Sequence, residues 1–152
     1  MSTDTAGSAL SVNVFTAPGK TAVGERPHGF GPPPGWDPTT STLIYGERDA
    51  VLIDPLTTAA EAEALAQWVE LHHRNLETVY ITHGHPDHYF GLSVILEHFP
   101  EAKAIATPKS VDVMAALEDQ AKSVYGSMFP GGMPKRIVRP DAYAQDTFLL
   151  ER

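Results

Sequence analysis

Four side chains that could bind a metal lie in one short segment, residues 82–88, which reads Thr-His-Gly-His-Pro-Asp-His. They are three imidazoles and one carboxylate, from His83, His85, Asp87 and His88. Ligands of this kind suit zinc and other divalent first-row ions. Because the chain contains no cysteine, thiolate ligands, disulfides and a cysteine nucleophile are excluded. The segment therefore predicts a metal site built from nitrogen and oxygen alone.

The spacing of these four ligands favours two pairs that point in different directions. In extended backbone, residues two apart point the same way, so His83 and His85 can reach one ion. Pro86 favours a turn, and Asp87 is a natural N-cap residue for a following helix. A turn there would direct Asp87 and His88 towards a second ion. A two-metal site, with ions about 3.5 to 4 Å apart, is the resulting hypothesis.

Hydrophobic patterns upstream of the segment predict the elements that position it. Leu10–Phe15 alternates as a half-buried strand does, and Thr42–Tyr45 and Ala50–Asp54 flank a short polar turn, as in a β-hairpin. A capping box opens a predicted helix over residues 58–75. Val79–Ile81 is a short β-prone run that ends at the histidines. We therefore expect the ligands on a loop after a strand.

The alternation continues downstream. A helix is predicted over Phe90–Phe99, a strand over Ala102–Ala106 and a second helix over residues 107–125. Thr147–Leu150 is predicted to be a further strand. Strands that alternate with helices indicate an α/β fold with a substantially parallel sheet.

A proline- and glycine-rich loop is predicted over residues 17–40, where six prolines prevent a helix or a central strand. Long loops inside compact domains are often functional, and Phe30 and Trp36 could lie over a pocket. A mobile surface excursion is the alternative interpretation. Residues 1–9 are small and polar, so we expect a disordered terminus.

Length and charge narrow the class of protein. The 152 residues predict a single domain, and no apolar run approaches the roughly 18 residues needed to span a bilayer. A net charge of -8 disfavours nucleic acid and anionic membranes as partners. We expect a cytoplasmic protein that acts on a small molecule.

The segment over residues 82–88 resembles the signature loop of the metallo-β-lactamase fold superfamily, whose pattern is His-x-His-x-Asp-His. Val51–Asp54, which follows a hairpin, is similar to the strand that brings a supporting acidic residue near the metals in that family. The similarity extends from about Val12 to Ala106. It implies an α/β fold of the αββα sandwich type.

The resemblance also implies a role for each residue. His83 and His85 would bind the first metal, and Asp87 and His88 the second. Asp87 would also orient the nucleophile as a catalytic residue, and Asp54 would support the ligands from behind. Zinc is the expected metal, with two ions in the complete protein, and iron or manganese are the alternatives.

The activity implied by the resemblance is metal-dependent hydrolysis of a small ester, thioester, lactone or amide. The redox-active di-iron branch of the superfamily has glutamate at the position of His85, so histidine favours the hydrolytic branch. Iron-dependent persulfide dioxygenases keep this histidine and form one alternative. A noncatalytic metal-binding or interaction module is the other.

The chain departs from the family pattern after the segment. Complete members add a third histidine, a bridging aspartate and a final histidine from a second half of the sandwich, whereas His98 is the only histidine after His88 here. We therefore expect residues 1–152 to be a single, incomplete domain that corresponds to the N-terminal half. The uncovered sheet face predicts a homo-oligomer or pairing with the missing C-terminal half.

Overall fold

One mixed β-sheet carries the histidine segment. The computed structural model describes residues 9–23 and 35–151, and within them six strands lie side by side in chain order. The first three strands are antiparallel neighbours, and the third to the sixth are parallel. The strands are β1 (Ser11–Ala17), β2 (Thr39–Tyr45), β3 (Asp49–Ile53), β4 (Asn75–Tyr80), β5 (Lys103–Ala106) and β6 (Asp141–Ala142).

Helices make the crossovers between the parallel strands. They are α1 (Ala59–Glu70), α2 (Leu92–His98) and α3 (Pro108–Met128), with a short 3-10 turn at Pro86–His88. The predicted capping box is present, because Thr58 and Glu61 exchange side-chain and backbone hydrogen bonds at the start of α1. Thr107 is the N-cap of α3, and its side chain accepts a hydrogen bond from the Ser110 N–H.

The hydrophobic core lies between the sheet and these helices. Leu43, Leu52, Val79 and Ala104 stand opposite one another on neighbouring strands and point into it. Their helical partners are buried apolar residues of all three helices, including Leu65, Val69, Leu92, Ile95 and Met114.

The opposite face of the sheet is less covered. On β1, Val12 and Val14 are 58% and 57% exposed. Val14 belongs to a row of paired residues on neighbouring strands, which runs through Thr42 and Ile53 to Tyr80 on β4. Among the described helices, none is long and apolar enough to cross a membrane.

Two expected element boundaries need correction. The helix predicted over residues 58–75 ends at Glu70, because His73 takes a left-handed backbone with φ of 51° and Asn75 begins β4. The loop predicted over residues 17–40 is shorter at both ends, since Ala17 belongs to β1 and β2 begins at Thr39. Residues 24–34 of that loop, and residues 1–8 of the predicted disordered terminus, lie outside the described part of the chain.

The strand predicted over Thr147–Leu150 was wrong. Phe148 stacks on Tyr80 of β4, with 6.3 Å between the ring centroids, so this segment crosses the face of the sheet and does not pair at its edge. The edge position beside β5 is taken by Asp141–Ala142.

Candidate metal centre

The candidate site lies where two neighbouring parallel strands end. Ile53 of β3 stands opposite Tyr80 of β4, and the Asp54 N–H donates to the Tyr80 carbonyl at 3.0 Å. The carboxyl ends of parallel strands meet at one edge of a sheet. Asp54 and the segment over residues 82–88 are therefore adjacent, although they are distant in the sequence.

Asp54 anchors this edge. The residue is only 7% exposed, and its φ of 59° places it in the left-handed region, which aspartate tolerates better than most residues. Its carboxylate accepts hydrogen bonds from Thr82 N at 2.8 Å, Thr82 Oγ1 at 2.7 Å and His88 Nδ1 at 2.7 Å. These bonds tie the histidine segment to the end of β3.

The same network selects the tautomers of two histidines. A carboxylate only accepts, so the proton between His88 and Asp54 is on His88 Nδ1. Thr82 Oγ1 gives its hydrogen to Asp54, so it accepts from His83 Nδ1, which lies 2.8 Å away. In their neutral forms, both rings therefore present Nε2 as the atom with a free lone pair. Metal-binding histidines are commonly oriented in this way, by a hydrogen bond from the other ring nitrogen.

The other predicted ligands lie beside these two rings. The centroid of the His83 ring is 4.0 Å from that of His88 and 4.8 Å from that of His85. Asp87 Oδ2 lies 3.5 Å from His88 Nε2. The 3-10 turn at Pro86–His88 brings Asp87 and His88 round to the ring of His83, in the direction that the proline favours.

The predicted ligands are not equally close. In the part of the chain that the structure describes, the ligand atoms of Asp54, His83 and His88 lie within 4.8 Å of one another. His85 and Asp87 are outside this set, and His85 is exposed to solvent. One carboxylate and two imidazoles form a donor set that suits a divalent first-row ion.

The two central histidines differ in proton affinity. Burial, with help from the neighbouring rings of His88 and His85, lowers the pKa of His83. The hydrogen bond that His88 donates to the Asp54 carboxylate raises the pKa of His88. His83 is thus the more readily neutral ring, which is the form that binds metal, and His88 is held by its carboxylate partner in either form.

Two contributors to the site have no local sequence signal. Thr82 links Asp54 to His83 through its hydroxyl group. Tyr125, on α3, lies near the Asp87 carboxylate, and burial, with help from that carboxylate, raises the pKa of Tyr125. Only the packing of α3 against the 3-10 turn brings Tyr125 to Asp87, so spacing along the chain could not reveal the pair.

Part of the chain is similar in sequence to curated hydrolases. It is 36% identical over 64 residues to hydroxyacylglutathione hydrolase from Francisella philomiragia, which is 42% of this chain and 24% of that protein. It is 33% identical over 73 residues to hydroxyacylglutathione hydrolase from Vibrio cholerae, which is 47% of this chain and 27% of that protein. The matched segment thus spans about a quarter of each of these curated relatives.

A solved structure shows the same fold over more of the chain. The metallo-beta-lactamase from Pontibacter korlensis aligns with a TM-score of 0.57 at 18% identity, over 93% of this chain and 56% of that one. This likeness confirms the predicted α/β fold of the metallo-β-lactamase type. The sequence also matches the profile described as the metallo-beta-lactamase superfamily over residues 34–151. Because that match takes in most of the sequence, the chain belongs to the metallo-beta-lactamase superfamily, as the segment over residues 82–88 predicted.

Proposed function

We propose that this chain carries the metal site of a hydrolase, with His83, His85, Asp87 and His88 as metal ligands. Zinc is the proposed metal, as one or two ions. When bound, zinc lowers the pKa of a coordinated water towards neutrality and polarises the group under attack. The residues of this chain hold the ion, fix the direction of each ligand and orient the water.

The observation that carries this proposal is the hydrogen-bond network behind the rings. Asp54 fixes His88 through Nδ1, and Thr82 fixes His83 through Nδ1, so both rings keep Nε2 free for a metal ion. A surface cluster of histidines would have no need of such an arrangement. Polar partners that orient the ligands support a metal site.

Asp87 is the proposed catalytic ligand. Its carboxylate oxygen Oδ2 lies 3.5 Å from His88 Nε2, a ring nitrogen with a free lone pair. From this position it can bind an ion and accept a hydrogen bond from the attacking water, which fixes the water's direction of approach. The three histidines lack this capacity when each one uses its free lone pair for the metal.

A thioester is the first substrate class to test. The curated relatives are named hydroxyacylglutathione hydrolases, whose name denotes an acyl-glutathione substrate. Small esters, lactones and amides react through the same attack on a carbonyl carbon, and they are the next candidates. The net charge of -8 places polyanions such as nucleic acids last.

A noncatalytic metal-binding module is the second candidate. It is favoured by the close grouping of Asp54, His83 and His88, which leaves His85 and Asp87 outside, and by the exposure of His85. A structural zinc site needs about four ligands and no open position. The module should bind one ion and show no turnover, whereas the hydrolase should bind one or two ions and turn over substrate.

Metal counting combined with a thioesterase assay tests both. We expect the purified protein to bind one or two zinc ions and to hydrolyse a thioester, and His85→Ala and Asp87→Ala to reduce both. His73→Asn is the matched control, because it removes an exposed imidazole at the opposite end of β4 and asparagine tolerates the left-handed backbone there. Full turnover in both site variants would refute the hydrolase assignment. Bound metal without turnover would favour the module.

A further inference from the structure

A segment that follows β6 crosses the open face of the sheet. We call residues 143–151 the strap. At its start, the Tyr143 N–H donates a hydrogen bond to the Ala106 carbonyl at 2.8 Å, beside the pairing of β5 with β6. Further along, the Phe148 ring stacks on Tyr80 of β4, with 6.3 Å between the ring centroids. The strap therefore leaves the edge of the sheet and passes over β4.

The far end of the strap is held in the turn between β2 and β3. Glu151 Oε1 accepts hydrogen bonds from the backbone N–H groups of Arg48 at 2.7 Å and Asp49 at 2.8 Å. The other oxygen, Oε2, accepts from Arg48 Nε at 3.3 Å. Successive N–H groups of a turn form a concave site that suits an anion. We call this set of contacts the Glu151 latch.

The backbone on both sides of the latch is adapted to it. A Cβ atom at Gly46 would overlap the Glu151 carboxylate, so the glycine leaves the space that the carboxylate fills. Glu151 itself has a φ of 65°, in the left-handed region that few residues other than glycine adopt. Such a conformation persists where its surroundings hold it in place. The three hydrogen bonds of the latch provide that restraint.

Contacts within the strap give it a defined shape. The Tyr143 hydroxyl donates to the Thr147 carbonyl at 2.9 Å, and the Tyr143 and Phe148 rings meet edge-on at 6.2 Å. Phe148 and Leu150 are half-buried, whereas Leu149 between them is 70% exposed. This alternation is typical of an extended segment with one side against the protein. Phe148 and Leu150 therefore form the side of the strap that faces the sheet.

Burial differs along one row of the open face. Val51 lies on β3 between Asp49, which belongs to the latch, and Ile53. It is only 3% exposed, yet it lies outside the core cluster between the sheet and the helices. In the same row, Ile44 pairs with Val51 on one side and with Val12 of β1 on the other, and Val12 is 58% exposed. The strap thus covers the β3 and β4 part of the face and leaves β1 open.

We propose that the strap shields the β3 and β4 part of this face from a second copy of the chain, and that the Glu151 latch holds it closed. Opening the latch would expose Val51 and Ile53 beside the open valines of β1. Apolar surface of this extent drives association. A second copy is the expected occupant, because the newly exposed surface continues the one that already predicts a homo-oligomer. The inference does not depend on the metal site.

The test measures chymotrypsin cleavage after Phe148 in the full chain, with the latch opened from either side. Glu151→Ala removes the carboxylate. Gly46→Ala puts a methyl group in its place, and the backbone of Gly46 is not left-handed, so alanine suits it. We expect cleavage about 3- to 10-fold faster in each variant, as for the loss of partly exposed hydrogen bonds and an ion pair. The double variant should be no faster, because both changes remove the same contact.

Glu47→Ala is the matched control, because it removes an equal charge at an exposed position in the same turn. It should leave cleavage after Phe148 unchanged. Association is then measured by sedimentation in the background of Val12→Thr and Val14→Thr, which weakens contacts through β1. In that background, Glu151→Ala should form larger species and bind more hydrophobic dye than Glu47→Ala does.

Two results would overturn the inference. Equal cleavage rates in Glu151→Ala, Glu47→Ala and wild type would show that the latch does not hold the strap. Faster cleavage with unchanged sedimentation and dye binding would show that the strap shields nothing. Glu151→Ala shortens one half-buried side chain, so it decides the matter even if Gly46→Ala fails to fold. Zinc binding tests the proposed function separately.

Discussion

His88 Nδ1 lies 2.7 Å from Asp54 Oδ2, across the ends of two parallel strands. The carboxylate belongs to the residue after β3, and the imidazole belongs to the 3-10 turn that follows β4. Neither residue could hold this geometry alone, because both lie outside regular strands or α-helices. The parallel pairing of β3 with β4 therefore sets the direction of a candidate metal ligand.

Asp54→Asn should weaken metal binding by about 10- to 100-fold, as expected when the partner behind a histidine ligand is altered. Asparagine tolerates the left-handed backbone, so the substitution removes the charge and keeps the fold. The amide is also a poorer acceptor for the His88 N–H than the carboxylate is. Chelator competition measures the change. Asp119→Asn, at an exposed position on α3, is the control. Equal affinity in Asp54→Asn and wild type would exclude a supporting role for Asp54.

Gly91→Ala should destabilise the protein by about 1 to 3 kcal/mol, the usual cost of overfilling a packed site. A Cβ atom at Gly91 would overlap the Pro55 carbonyl oxygen and lie 2.8 Å from Ala62 Cβ. Urea unfolding measures the loss. Gly126→Ala is the matched control, because nothing lies within 4 Å of a Cβ there and alanine favours the helix by about 0.5 to 1 kcal/mol. An unchanged free energy of unfolding in Gly91→Ala would contradict the close approach of Gly91 to Pro55 and Ala62.

His98, which lies outside the candidate metal site, should make the free energy of unfolding depend on pH. His98 bonds Glu70 through Nδ1 at 2.9 Å and Glu63 through Nε2 at 2.9 Å, which joins α2 to α1. The Glu63 and Glu70 carboxylates raise the pKa of His98 above its ordinary 6.5, so its contribution is present below pH 6.5 and is lost as pH rises through the folded value. The hydrogen bond from His98 lowers the pKa of Glu63 below 4.5, so the contribution of Glu63 is lost on acidification.

The stabilisation from the ion pairs of His98 with Glu63 and Glu70 should therefore be greatest between pH 4.5 and 6.5. The measurement compares the free energy of unfolding of wild type and His98→Gln across this range, in metal-free protein. The difference between the two should shrink above pH 6.5 as His98 loses its proton. The same difference at pH 5.5 and pH 8.5 would show that the two ion pairs do not contribute.

The sequence predicted those elements whose capping and hydrophobic periodicity depend on residues close together in the chain. The capping box at Thr58 and Glu61 could be identified from the sequence because its partners are three residues apart. The candidate metal-binding segment could be identified in the same way, because its candidate ligands lie within one short loop. What the sequence could not show was that Tyr125 lies near Asp87, because that depends on how α3 packs against the 3-10 turn.

The end of the chain shows why periodicity alone misled. Thr147–Leu150 combines a β-branched residue, an aromatic and two leucines, as a strand would, yet Phe148 uses its ring against Tyr80 on the face of the sheet. β6 is only two residues long, Asp141–Ala142, and carries no hydrophobic pattern. Its pairing with β5 is a long-range event, so no window of sequence could predict it.

Self-association is the expected consequence of the open sheet face. Val12 and Val14 are more than half exposed on an edge strand, and beside them the row through Ile53 and Tyr80 is only partly covered. Exposed apolar patches on a sheet drive association. Sedimentation of the 152-residue chain should therefore show dimers or larger species.

Val12→Thr combined with Val14→Thr should shift the distribution towards monomer, since threonine keeps the β-branched shape that strands favour and adds a hydroxyl. Val124→Thr, at an exposed position on α3, is the control and should leave the distribution unchanged. A wild-type monomer that binds no hydrophobic dye would contradict the expectation, and would indicate that the segment carrying Phe148 covers the face sufficiently.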